Sequence, residues 1–240
     1  MTWNLSASVS SREIHIWGVR LLAVLMVASL VFAASGAVSD VEAASKSSKL
    51  FGTKEIRNKN LKPFPKWTGM LKRYFKEGAL GEGDCTSATF NTCRLAEWQK
   101  FLNFLEGKKV VSQVKAVNKY LNGVKYITDI RNWGVTDYWA TPAQFKSQNG
   151  DCEDYAIAKY MSLRAIGYPM DKMRIVVVQD ENLGVAHGIL AVYINDKPYI
   201  LDNQIKQILP SKKIHHHKPF FSANEKFWGC TAARADCAKA

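Results

Sequence analysis

The stretch Asp151–Ile166 constrains the fold more than any other part of the chain. Asp151-Cys152-Glu153-Asp154 opens it, Gly167 closes it, and Ala156, Ile157, Ala158, Met161 and Leu163 leave it little polar face. A helix that is apolar or small on most sides must be covered on most sides, so this one is expected at the centre of the molecule. Its start is chemically pointed. A cysteine in a first helical turn faces unpaired backbone N–H groups and the positive end of the helix dipole, and both favour thiolate over thiol. Asp151 is placed to cap the helix, with Asp154 answering in a reciprocal cap.

The flanking sequence supplies the layers such a helix needs. Apolar residues recur at helical spacing over Trp67–Lys76, Leu95–Leu105 and Val110–Leu121, and Thr141-Pro142 has the form of a helix start, with Thr as cap and Pro in the first turn. Downstream come three strand patterns, Arg174–Gln179, Val185–Ile194 and Pro198–Leu201. Asn195-Asp196-Lys197 is the turn that makes the last two an antiparallel hairpin. Helices first and a mostly antiparallel sheet after them is the α+β class.

Two residues of that hairpin complete a reactive set with Cys152. His187 lies inside an apolar strand pattern and Asp202 closes the next one. The order fits a cysteine nucleophile, a histidine base and a carboxylate that orients the base. Residues on neighbouring strands project side by side, and a helix packed on that face would bring the three together. Each residue also has a plain reading: an inert buried thiol, a core histidine, a turn-capping carboxylate. Their joint order and placement favour the catalytic one. His215-His216-His217 reads as a solvated basic loop, because three consecutive residues do not easily converge on one ion.

Asp151, Glu153 and Asp154 oppose this chemistry, since carboxylates beside a thiol raise its pKa. A bound hard cation would resolve the conflict, and calcium accepts carboxylate and carbonyl oxygens.

Residues 1–43 carry Arg20 ahead of the apolar run Leu21–Phe32 and then small residues, the layout of a signal peptide; an uncleaved membrane anchor is the competing reading. Residues 44–66 read as an extended arm, 67–225 as the enzyme domain and 226–240 as a C-terminal tail. The formal net charge is +12, with the excess spread over such residues as Lys54, Arg57, Lys62 and Lys72. A basic surface suits an acidic partner, but export argues against nucleic acid. In an exported protein Cys85–Cys93 and Cys230–Cys237 could each close a local disulfide, which leaves Cys152 as the odd thiol.

Gly150-Asp151-Cys152-Glu153-Asp154-Tyr155-Ala156-Ile157-Ala158-Lys159-Tyr160, with Ala186-His187-Gly188, Leu201-Asp202-Asn203 and the upstream Trp139-Ala140-Thr141-Pro142, resembles the bacterial transglutaminase-like cysteine proteinases, in particular their LapG-type periplasmic branch. The resemblance spans roughly residues 64–210. It implies a papain-like α+β fold with the nucleophile-bearing helix packed on an antiparallel sheet, and a catalytic triad of Cys152, His187 and Asp202. It further implies dependence on Ca2+ held by Asp151 and Glu153, with Asp154 a third candidate. The implied substrate is a large surface adhesin, cut near its N-terminus at a pair of alanines, which releases it and controls biofilm attachment. The implied partner is an inner-membrane cyclic-di-GMP receptor that sequesters the enzyme, and no small-molecule cofactor is expected. Transglutaminase-type acyl transfer by the same triad, or a silent calcium-binding adaptor, are the rival functions.

Overall fold

The computed structural model describes residues 49–77 and 93–231. In chain order the elements are β1 (Glu55–Asn58), α1 (Pro65–Glu77), α2 (Cys93–Leu105), α3 (Val110–Leu121), α4 (Asp129–Asn132), α5 (Pro142–Gln148), α6 (Cys152–Ala165), β2 (Met173–Asp180), β3 (Val185–Ile194), β4 (Lys197–Leu201), β5 (Leu209–Pro210), β6 (His217–Ala223) and β7 (Trp228–Thr231). Helices largely precede strands, and the fold is the expected α+β type.

α6 occupies the centre that its composition demands. Every residue from Asp154 to Leu163 is buried. α3 and α5 cover one side, and β2 and β3 the other. At its start the Asp151 N–H donates to Asp154 Oδ2 at 3.3 Å. At its end Gly167 takes a positive φ of 85°, which a residue with a Cβ rarely adopts. α5 begins as expected: Gln144 N–H donates to Thr141 Oγ1 at 3.3 Å, and Thr141 N–H donates to Gln144 Oε1 at 2.9 Å.

The seven strands form one antiparallel sheet in the order β1-β7-β6-β2-β3-β4-β5. β3 and β4 are joined by a tight turn with Asn195 and Asp196 both at positive φ, the conformation that matches strand twist. Alternation along the strands separates two cores. Met173, Ile175, Leu190, Val192 and Leu201 pack toward the helices. Val176, Val178, Ile189, Ala191 and Ile200 pack on the opposite face, beneath Leu50 and Ile214.

Four strands, β1, β5, β6 and β7, were not legible. β1 falls in the segment read as an arm, and β7 in the one read as a tail; they pair with each other at the sheet edge. β1 is short and charged, as edge strands are. Its Glu55 accepts a hydrogen bond from the Ser222 hydroxyl and lies 3.9 Å from the buried Arg174 guanidinium. β6 contains Pro219, which argues against a strand in sequence; here it sits where the β2–β6 register shifts.

Cys230 is disulfide-bonded and Cys152 is free. The N-terminal segment read as a signal peptide, Cys85, Cys237 and the Cys93 side chain lie outside the described residues. No helix among the described residues is long and apolar enough to cross a membrane.

Because Ile157 is fully buried between helices and sheet, Ile157→Ala should lower unfolding free energy by about 3 kcal/mol. Urea unfolding followed by circular dichroism checks this.

Candidate active site

Cys152 is delivered by a tight turn. Asn149 ends α5 with φ at 67°, in the left-handed region that few non-glycine residues occupy. Gly150 follows and bridges to Tyr126, its carbonyl accepting the Ile127 N–H at 2.9 Å. A Cβ on Gly150 would overlap the Asp154 carboxyl, so the returning cap requires glycine there. Asp154 itself is consumed in this construction. Its Oδ1 accepts the Ala140 N–H at 2.7 Å while Oδ2 accepts that of Asp151.

The start of α6 rests directly on β3. A Cβ on Gly188 would lie 2.9 Å from Glu153 Cα and 3.0 Å from its N, so only glycine admits the helix at this depth. The expectation that α6 packs on the face from which His187 projects is corrected by the register. Gly188 shares the helix-facing side with Leu190 and Val192, and strand alternation turns His187 to the other side with Ile189 and Ala191. The sulfur meets the histidine's strand through its backbone instead. β4 pairs with β3 only from Leu190 onward, and the Gly188 N–H donates to Cys152 Sγ.

His187 and Asp202 are joined outright. Nε2 of His187 lies 3.0 Å from Asp202 Oδ1, and both side chains are buried. Oδ1 also accepts the Gln204 N–H at 2.8 Å, while Asn122 Nδ2 donates to the Asp202 carbonyl at 2.8 Å. Burial alone would raise the Asp202 pKa; its bond to His187 and that ring's charge outweigh it and hold the carboxyl below its usual range. Nearby on α6, Lys159 is wholly buried with no hydrogen-bond partner for Nζ. Burial lowers its pKa to about 7 against the pull of Asp202.

The acidic surroundings of Cys152 are denser than the sequence suggested. Donor oxygens of Asp129, Asp137 and Glu153 converge within 4.8 Å, as do those of Asp129, Asp151 and Asp154. Asp129 and Asp137 were missed because they lie more than a dozen residues upstream of the motif, at the start of the four-residue α4 and in the irregular stretch after it, without periodicity. Burial, then mutual repulsion, pushes Glu153 up to about 9 and raises Asp151; burial first also carries Asp129 to about 6. The Cys152 thiol donates to Glu153 Oε2 at 3.1 Å, and burial followed by the Glu153 charge drives its pKa upward. Oδ1 of both Asp129 and Asp151 is buried without a hydrogen-bond partner. Convergent hard oxygens with orphaned lone pairs suit a divalent cation such as calcium.

The histidine triplet is also corrected. His217 is not in a solvated loop: it opens β6, is 2% exposed, and pairs across the sheet with Asp180. Its Nε2 lies 3.4 Å from Asp180 Oδ2 and 3.8 Å from Asp202 Oδ2.

Comparison with known proteins identifies the family. A model of the bacterial transglutaminase-like cysteine proteinases matches residues 81–237. The chain belongs to that family. Among solved structures it is similar to Legionella pneumophila LapG, with 30% identity, a TM-score of 0.54, and coverage of 71% of this chain and 91% of that one. A calcium-bound form of Legionella LapG gives 32% identity, a TM-score of 0.55 and coverage of 68% and 88%. An EGTA-treated form gives 32%, 0.54, and 68% and 86%. No curated protein sequence matches. Membership in this proteinase family makes the chain a cysteine hydrolase by kinship, and the fold agrees with the transglutaminase-like type.

The acid cluster sets a pH dependence. Without a cation its carboxylates hold protons more tightly folded than unfolded, so the native state binds more protons between the unfolded range near about 4 and the folded values. Stability of the metal-free protein should therefore fall as pH rises from 5 to about 9. Added calcium should raise Tm most at the alkaline end. Thermal melts across this range in EGTA and in calcium check both signs.

Proposed function

We propose that the protein is a calcium-dependent cysteine endopeptidase whose nucleophile, base and orienting acid are Cys152, His187 and Asp202. The observation that carries this is the buried 3.0 Å bond from His187 Nε2 to Asp202 Oδ1, one residue before the Gly188 N–H that reaches the free Cys152 sulfur. With Nε2 committed to the aspartate, Nδ1 is the nitrogen left to exchange protons with sulfur and substrate. The sulfur lies at the edge of β3 that β4 leaves uncovered before Leu190, and round that edge His187 Nδ1 takes the thiol proton and the sulfur attacks the scissile carbonyl. The Cys152 backbone N–H, at the open end of the helix, faces the developing oxyanion. The imidazolium returns its proton to the leaving amine. Water, deprotonated at Nδ1, then attacks the thioester and releases the acid. Asp202 keeps the tautomer and stabilises the imidazolium throughout.

Asp129, Asp151 and Glu153 would hold the calcium, with Asp137 at the rim. Bound there, the ion supplies the positive charge that offsets the carboxylates and permits a thiolate. Asp154 keeps its role as cap.

The substrate we propose is a large surface adhesin, cut near its N-terminus at a di-alanine site, so that cleavage frees it and limits biofilm attachment. The site of action is the periplasm, and an inner-membrane cyclic-di-GMP receptor sequesters the enzyme. Kinship with the LapG structures and the signal-like N-terminus support this reading. It is tested by incubating the purified protein with the organism's own large surface proteins, with and without a calcium chelator. Discrete cleavage that EGTA stops supports it; no cleavage in calcium refutes it.

Cys152→Ala should abolish cleavage without loss of fold, since a small residue is tolerated at this turn. Asp129→Asn separates ligation from capping, because Asp129 does not cap α6. Asparagine keeps the oxygen that accepts the Tyr138 N–H but removes a charge. Calcium affinity should fall about tenfold or more, read by calorimetry, with activity falling in parallel. N-terminal sequencing of the mature protein should begin between Ala34 and Ser45.

A further inference from the structure

The orienting carboxylate is only half accounted for by His187. Oδ1 of Asp202 serves the histidine and the Gln204 N–H, whereas Oδ2 is buried without a hydrogen-bond partner. Two buried groups without hydrogen-bond partners face Asp202, the Lys159 ammonium and the His217 ring, and the ring has a nitrogen within 4 Å of Oδ2. His217 is buried, both of its ring nitrogens lack hydrogen-bond partners, and Nε2 lies 3.8 Å from Asp202 Oδ2. Its ring centroid is 5.8 Å from that of His187. On its other flank stands Asp180, with Oδ2 3.4 Å from the same Nε2. Asp180 is itself pinned: its Oδ1 accepts the N–H groups of Asn182 and Leu183. Phe51 and His216 close the remaining sides of the ring by edge contacts.

We propose that His217 is a positioning residue for catalysis, whose Nε2–H, lying between Asp180 and Asp202, closes from 3.8 Å onto Asp202 Oδ2 in the working enzyme and holds it there. It fixes the carboxylate so that Oδ1 stays on His187 Nε2. The reading rests on the Cys152–His187–Asp202 assignment above and deepens it. The reason is geometric. A carboxylate held at one oxygen only can rotate about its own axis, and a rotated Asp202 no longer fixes the tautomer of His187. A donor at Oδ2 removes that freedom, and Asp180 keeps the proton on the nitrogen that faces Asp202.

The test uses the calcium-loaded protein and two readouts that need no substrate: the rate of Cys152 alkylation by iodoacetamide at pH 7, and the downfield NMR resonance of the His187 Nε2–H. His217→Leu should slow alkylation about tenfold or more, the size of a lost buried hydrogen bond to a charged group, and abolish the resonance. His217→Gln can place an amide N–H near the former Nε2 and should keep both within about threefold of wild type. Asp180→Asn avoids a cavity and keeps the bonds to Asn182 and Leu183. Its amide would donate toward His217 Nε2, move the ring proton to Nδ1 and reproduce the His217→Leu defect. Wild-type rates and resonance in His217→Leu, or, should that variant not fold, in Asp180→Asn, overturn the proposal. So does an equal loss in His217→Gln and His217→Leu, which marks mere packing. If His187→Ala alkylates as fast as wild type, the triad assignment fails first, and the inference with it.

Discussion

The seating of one helix turn on one glycine governs this molecule. Glu153 lies against Gly188 at a distance that leaves no room for a methyl group, and the Gly188 N–H reaches the neighbouring sulfur. That contact sets the height of α6 above the sheet, and the height fixes where Cys152 stands relative to β3. The buried length of the helix, wrapped by α3, α5 and the sheet, then holds the position with most of the apolar interior. A methyl at residue 188 would lift the helix by a few tenths of an ångström at least, and catalytic geometry is sensitive on that scale.

The same placement creates the electrostatic problem that shapes the rest of the site. Bringing the turn before α6 against the loop that carries Asp129 and Asp137 buries several acids beside a thiol. Alone, they hold protons and keep the sulfur protonated through Glu153. In the proposed function a cation would convert this half, while the histidine–aspartate half on the sheet is already assembled. Two halves with different requirements meet at the Gly188 backbone.

The central helix, its caps and the β3–β4 hairpin were legible because each rests on local rules: apolar content on most faces, Asp151 with Asp154, and a turn of two residues that both accept positive φ. The proposed triad was read from order on those elements, and two of its members, His187 and Asp202, are hydrogen-bonded in the structure. β1, β6 and β7 were not, because they are stabilised by partners far away in sequence. Pro219 and the charges of β1 speak against strands until the β2–β6 irregularity and the sheet edge accommodate them. His217 was hidden for the same reason. Next to His215, His216 and several lysines it has the composition of a solvated loop, and only pairing with β2 buries it. Asp129 and Asp137 carry no spacing signal at all. The side of β3 that faces the helix was also beyond reach, since alternation tells which residues share a face and not which face the helix chooses.

The strand order has a consequence for when the protein becomes a protein at all. β6 is almost the last described element, yet it lies inside the sheet, between β7 and β2, and it brings His217 against Asp202. β7 then clasps β1 from the opposite end of the sequence. A nascent chain can therefore make α6 and the β3–β4 hairpin early, but the sheet beside Asp202 stays incomplete until β6 inserts. A chain that stops before β6 carries the Cys152 thiol without His217 against Asp202.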